Sequence, residues 1–150
     1  MIGDFLEIRV LNKNEIKKAT KLVLEVFLEF DAPDYTQEGV KDFYNSIIKN
    51  QVYLNSLTFY GAVENGEVLG VIATRNGGNH IALFYVSGLH HGKKIGRKLF
   101  ETAISNSPTM SLTVNASPFG VPIYEHLGFK KLKAEQNKNG LRFTPMKIRR

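Results

Sequence analysis

The chain has 150 residues, 43% of them hydrophobic and 23% charged, which is ordinary for a globular protein and enough for one domain with a real core. It contains no cysteine, which excludes disulfides, thiolate metal sites and a cysteine nucleophile. The net charge of +6 is uneven: residues 1–60 carry 7 basic and 9 acidic side chains, whereas residues 61–150 carry 13 and 5. The basic part suits an anionic ligand. Glu29, Asp31, Asp34 and Glu38 in the acidic part suit a cationic one, unless both are solvated surface. Met1-Ile2-Gly3-Asp4 lacks the basic and apolar regions of a secretory leader, so none is expected, and no apolar stretch approaches the ~20 residues of a membrane span. The expectation is a cytoplasmic protein of one domain, residues 1–150, without a membrane partner.

In chain order, Phe5–Val10 alternates as a strand. Asn12 or Asn14 can cap a helix to about Phe30, with Ile16, Ala19, Leu22, Val23, Val26, Phe27 and Phe30 at helical spacing. Asp31-Ala32-Pro33-Asp34 breaks it, and Thr36 can cap a second helix, Gln37 to Lys49, with Val40, Phe43, Tyr44, Ile47 and Ile48 inward. Leu57–Val63 and Val68–Thr74 flank an Asn65-Gly66 turn and predict a hairpin. After Asn76-Gly77-Gly78-Asn79 comes a strand from His80 to Val86, then a helix from about Gly92 to Ser105, ended by Asn106-Ser107-Pro108. Thr109–Val114 is a strand. Ser117-Pro118 suits the start of a helix, Pro122 argues that it starts late, and Gly128 closes it with Phe129 packing back. Phe129–Leu132 and Leu141–Ile148 are the last two strands, around a polar turn at 135–140. The order β α α β β β α β α β β predicts a mixed α/β (α+β) domain rather than a regular βαβ array.

The segment Val86-Ser87-Gly88-Leu89-His90-His91-Gly92-Lys93-Lys94-Ile95-Gly96-Arg97 joins a strand to a helix through a Gly- and Lys-rich turn. Free N–H groups and the positive helix end make such a turn a phosphate cradle. Lysines at a helix start are otherwise disfavoured by the dipole. The Walker pattern fails, because Lys94 follows Gly92-Lys93 and position 87 is Ser. The dinucleotide fingerprint fails on spacing and on its place after the fourth strand. His80, His90, His91 and His126 have no metal-ligand spacing, so no metal is expected.

The order of elements and two blocks of sequence resemble the GNAT-superfamily N-acetyltransferases, which use acetyl-coenzyme A. The first block is His91-Gly92-Lys93-Lys94-Ile95-Gly96, where the family shows Gln or Arg, two residues, Gly, one residue, then Gly or Ala. The second runs from Asn115-Ala116-Ser117-Pro118 to Ile123-Tyr124-Glu125-His126-Leu127-Gly128-Phe129. His91 and Lys94 depart from the family pattern, and Lys94 favours a negative φ where Gly is indifferent.

The resemblance implies a mostly antiparallel central sheet flanked by helices and splayed between the fourth and fifth strands. It implies that the pantetheine arm enters the splay beside Phe84, Tyr85 and Val86, with the Val86 N–H polarising the thioester carbonyl. It implies that His91, Gly92, Lys93, Lys94, Ile95, Gly96 and Arg97 surround the pyrophosphate, that Asn115 holds the pantetheine arm, and that Tyr124 is the general acid for the leaving thiolate. Read from sequence alone, Phe84 and Val86 are also core strand residues, Asn115 a strand-ending turn residue and Tyr124 a packing side chain. For the general base Asp31, Asp34, Glu29, His80 and a water relay stay open. Asp31, Asp34 and Tyr35 are acceptor-site candidates, although the two carboxylates also flank the Pro33 turn.

The expected activity is direct acetyl transfer to a primary amine of a small molecule or peptide, by a monomer or homodimer. One alternative is a non-catalytic coenzyme A-binding or sensor module of the same fold. Another is a nucleic-acid binder: residues 130–150 hold eight Lys or Arg and one acidic residue, but no aromatic stacking motif.

Overall fold

Strand periodicity builds the centre of the molecule. In the computed structural model, which describes residues 6–91 and 94–150, β1 (Leu6–Val10), β2 (Thr58–Glu64), β3 (Glu67–Arg75), β4 (His80–Val86), β5 (Ser111–Ala116), β6 (Lys130–Lys131) and β8 (Leu141–Arg149) form one sheet. Its order is β1-β2-β3-β4-β5-β8-β6, and β7 (Gln136–Lys138) pairs with β8 outside that path. Every pair is antiparallel except β4 with β5. That parallel pair is joined only at His80–Thr113 and Ile81–Val114, after which the strands diverge. The expected mixed, mostly antiparallel sheet with a splay at the fourth and fifth strands is thus present.

Helices cover both faces. α1 (Lys13–Val26), α2 (Gln37–Phe43) and α3 (Gln51–Asn55) lie on one side, where Val23, Phe27, Phe43, Phe59, Val71 and Leu83 are buried together. α4 (Ile95–Ser105) and α5 (Val121–Leu127) lie on the other, over Ile72, Leu99, Phe100, Leu112, Phe129 and Met146. Among the described residues no helix is long and apolar enough to cross a membrane.

The predicted caps act as expected. Asn12 and Glu15 form a capping box on α1, and the Thr36 hydroxyl accepts from Gly39 N–H on α2. Asn65 and Gly66 take positive φ in the β2–β3 turn.

Several boundaries differ from the periodicity. α1 ends at Val26 and continues as a π turn, Phe27–Asp31, then a 3₁₀ turn, Ala32–Asp34. The wider turn carries Asp31 into the interior instead of leaving it in an exposed break. α2 likewise passes into a π turn, Tyr44–Ile48, and Tyr44, expected inward, is exposed. α3 was hidden in sequence because its five residues are too few for a periodic signal. α5 starts at Val121, with Pro122 in its first turn, while Ser117 caps a preceding turn through Gly120 N–H. The polar segment at 135–140 is partly strand, β7, because pairing with β8 outweighs its composition.

The β7–β8 turn sits against the start of α2. Thr36 N–H donates to Gly140 O, and a Cβ on Gly39 would overlap the Gly140 carbonyl. Only glycine permits this approach, which roofs one side of the splay.

Candidate active site

Backbone hydrogen bonding in an antiparallel pair alternates between neighbouring strands with a period of two residues. Ser87 N–H donates to Leu69 O at 2.8 Å, and Gly70 is the register partner of Val86. The N–H and C=O of Tyr85 therefore point at β3, and those of Phe84 and Val86 point into the gap. Across it, Arg150 N–H donates to Met110 O and Thr113 N–H donates to Asn79 O at 2.9 Å. The same alternation turns the polar backbone groups of Asn115 into the gap from the β5 side. Asn115 lies opposite Pro145, at a position where β8 has no ladder bond to give β5. The splay thus has polar backbone on both walls beyond the last β4–β5 pair.

One end of the gap meets α4. Its N-cap, Lys94, has no side-chain capping bond, and its first turn holds no acidic residue. The first intrahelical bond is Lys98 N–H to Lys94 O, which leaves earlier N–H groups for an anion. Gly96 faces Phe84 and Val86, and Ile95 anchors the turn in the core. Arg97 is half-exposed and paired with Glu101 at 3.7 Å. Gly92 and Lys93 lie outside the described residues. Lys94 has φ 64° and ψ 8°, so the expected negative φ is overturned. The chain must turn left-handed to open the helix, a conformation that costs a side chain with a Cβ ~1–2 kcal/mol.

A cavity of about 890 Å³ runs along the splay. Phe84, Val86, His91, Gly96, Asn115 and Tyr124 line it, as do Asp31, Tyr35, His80 and Tyr85. The Nε2 of His91 donates to Val86 O at 2.7 Å, because a carbonyl can only accept. The His91 ring also lies 4.9 Å from that of Phe30, which in turn lies 4.9 Å from Phe119.

Tyr124 is 7% exposed, with its ring 5.9 Å from Phe84 and 5.1 Å from Phe129. No described residue hydrogen-bonds its hydroxyl. Burial first, then the Asp31 charge, push its phenol well above the usual range, so it stays protonated.

The two carboxylates around Pro33 part company. Asp34 is turned to Arg142 at 3.9 Å and does not line the cavity. Glu29 lines a separate, smaller groove beside Ser87 and Gly88. Asp31 is 5% exposed, and its two oxygens are held from both sides of the splay. The Tyr85 hydroxyl donates to Oδ2 at 2.9 Å, and the Ser117 hydroxyl donates to Oδ1 at 2.8 Å. Burial raises the Asp31 pKa, although both hydrogen bonds oppose the rise and Asp34 adds to it. Burial also raises Tyr35 and Tyr85. His80 is brought down to about 4 by burial and by Arg75, with its Nδ1 2.7 Å from Thr113 Oγ1.

Sequence reading had placed Ser117 only at a helix start and Tyr85 only along the cofactor arm. Ser117 is 86 positions from Asp31, and Tyr85 is 54. No local spacing signals either bond.

The acetyltransferase (GNAT) domain family matches residues 31–150. A GCN5-related N-acetyltransferase from Rhodopseudomonas palustris superposes with a TM-score of 0.78 at 19% identity, over 94% of this chain and 93% of that one. The PaiA N-acetyltransferase from Thermoplasma acidophilum, in complex with coenzyme A, gives 0.77 at 18% identity, over 97% and 99%. An aminoglycoside 6'-N-acetyltransferase complexed with coenzyme A gives 0.65 at 12% identity, over 95% and 96%. These likenesses establish the fold. Among curated proteins no sequence matches significantly.

Proposed function

The chain belongs to the acetyltransferase (GNAT) domain family, and from that premise we propose that it is an acetyl-CoA-dependent N-acetyltransferase acting by direct attack of a primary amine. The observation that carries this reading is the splay itself. Polar backbone of Phe84 and Val86 on one wall and of Asn115 on the other leads to an uncapped helix start at Lys94. Those groups fit an extended amide-bearing arm ending in phosphates.

Acetyl-CoA supplies an activated acyl carbon and a thiolate leaving group. The N–H groups of Phe84 and Val86 aim at the gap: that of Val86 is the donor for charge developing on the carbonyl oxygen, and the Phe84 backbone pairs with the arm. The first-turn N–H groups of α4, with Lys94 beside them, hold the pyrophosphate. Asn115 holds the arm from the opposite wall. Tyr124 stays protonated and gives its proton to the departing sulfur. The dry surroundings that raise its phenol also raise the proton affinity of a thiolate next to it. Tyr35 walls the acceptor side.

Titration calorimetry with acetyl-CoA tests this reading directly. Binding in the micromolar range is expected. No heat at high micromolar cofactor refutes it.

A further inference from the structure

We infer that the acceptor is a compact amine with one positive charge and an apolar, aromatic-compatible body, and that Asp31 is both its anchor and its base. This deepens the N-acetyltransferase reading and rests on it.

Position comes first. Tyr85 projects from the face of β4 opposite to Phe84 and Val86. Ser117 directly follows β5. By accepting from both, Asp31 spans the mouth of the splay on the α1–α2 side. Gly120 N–H donates to the Ser117 hydroxyl at 3.0 Å, and a Cβ on Gly120 would lie 3.3 Å from the Tyr124 ring edge, so the proposed acid and the Asp31 anchor are neighbours. An amine entering from the α1–α2 side meets Asp31 before it meets the carbonyl carbon.

The acceptor side also selects. Val26, Phe30, Tyr35, Phe43, Ile47 and Phe143 wall it. The charged residues lining the whole cavity, among the described residues, are Asp31 and Asp42 against Arg75, Lys138 and Arg142. Arg142 is already paired with Asp34 and Glu135, which leaves Asp31 and Asp42 balanced by Arg75 and Lys138, with no net field for a polycation. A second ammonium would face Arg75 or Lys138, whereas an alkyl or aryl body would bury apolar surface.

The protons balance. The ammonium loses one proton to the Asp31 carboxylate, whose two acceptor bonds leave lone pairs free. The neutral nitrogen attacks the carbonyl carbon, the C–N bond forms and the C–S bond breaks. Tyr124 protonates the sulfur and recovers a proton from the nitrogen, and Asp31 releases its own to water. Tyr85 and Ser117 are positioning residues.

The test compares 2-phenylethylamine and n-hexylamine with spermidine and kanamycin by thiol release, and titrates 2-phenylethylamine calorimetrically into the enzyme saturated with coenzyme A. The monoamines are expected to lead in kcat/KM by about tenfold or more. Asp31→Asn keeps the side-chain shape and is expected to lower monoamine kcat/KM by about 100-fold. It should also weaken calorimetric binding about tenfold and hold the acetyl-CoA Kd within about threefold. It should remove the rising limb of the pH profile, which Asp34, Tyr35, Tyr85 and Tyr124 also face. Ser117→Ala and Tyr85→Phe should give smaller losses with that limb shifted. Preference for spermidine or kanamycin overturns the inference, as does wild-type behaviour of Asp31→Asn. Cofactor binding without transfer to any of these amines also overturns it, leaving the cofactor reading intact. Absence of cofactor binding removes both.

Discussion

The Nε2 of His91 donates to the carbonyl oxygen of Val86 at 2.7 Å, so one family-variant side chain satisfies a strand group that faces the splay. A pantetheine amide would compete for the same carbonyl. An exposed hydrogen bond of this kind is worth ~0.5–1.5 kcal/mol net. His91→Ala is therefore expected to tighten coenzyme A binding by about 2–10-fold in calorimetry. A weaker Kd would mean instead that the imidazole supports the bound arm.

Lys94 opens α4 at φ 64°, where glycine carries no Cβ penalty. Lys94→Gly should stabilise the fold by about 1 kcal/mol, or ~2–4 °C in Tm for a chain of this size. Lys94→Ala should not, because alanine keeps the Cβ. Equal effects of the two variants in thermal denaturation would show that the left-handed turn is not the cause.

Tyr124 is buried between Phe84 and Phe129 and has no described partner for its hydroxyl. Tyr124→Phe keeps the ring packing. Turnover should fall by about 10²–10⁴-fold while acetyl-CoA affinity stays within about threefold. Steady-state kinetics with unchanged kcat would remove Tyr124 from the mechanism.

Glu15 takes two bonds from Arg9, at 2.7 and 2.6 Å, and one from Asn12 N–H at 3.0 Å. The Arg9 bonds, then the Asn12 N–H, pull its pKa from 4.5 down to about 2. A lowered carboxylate pKa stabilises the native state above the unfolded value, and the gain disappears as pH falls through the folded value. Glu15→Gln should lower Tm at pH 7, and the gap to wild type should close between about pH 4.5 and 2. A gap that persists at pH 2 would assign the effect to packing.

Much of the scaffold was legible because it is written in short-range patterns. The capping residues Asn12 and Thr36, the Asn65-Gly66 turn and the alternation from His80 to Val86 act within a few residues of themselves. The two π turns were not legible. Residues 27–31 and 44–48 carry the same helical spacing as the helices they extend, and nothing in that spacing marks where an α turn widens to a π turn. The Lys94 conformation was misjudged because a left-handed residue at a helix start is set by the strand–helix junction rather than by residue preference.

The sequence by itself determined the order of elements, the turn that opens α4 and the family to which the chain belongs, since these depend on local spacing and on motifs contiguous along the chain. Only the tertiary structure decided which carboxylate matters. Asp31 and Asp34 look alike around Pro33, but the π turn buries one beneath Tyr85 and Ser117 and leaves the other with Arg142. The distinction comes from partners 54, 86 and 108 positions away along the chain. A carboxylate's chemistry is set by the charges and dipoles around it in space, and no spacing along the chain encodes those.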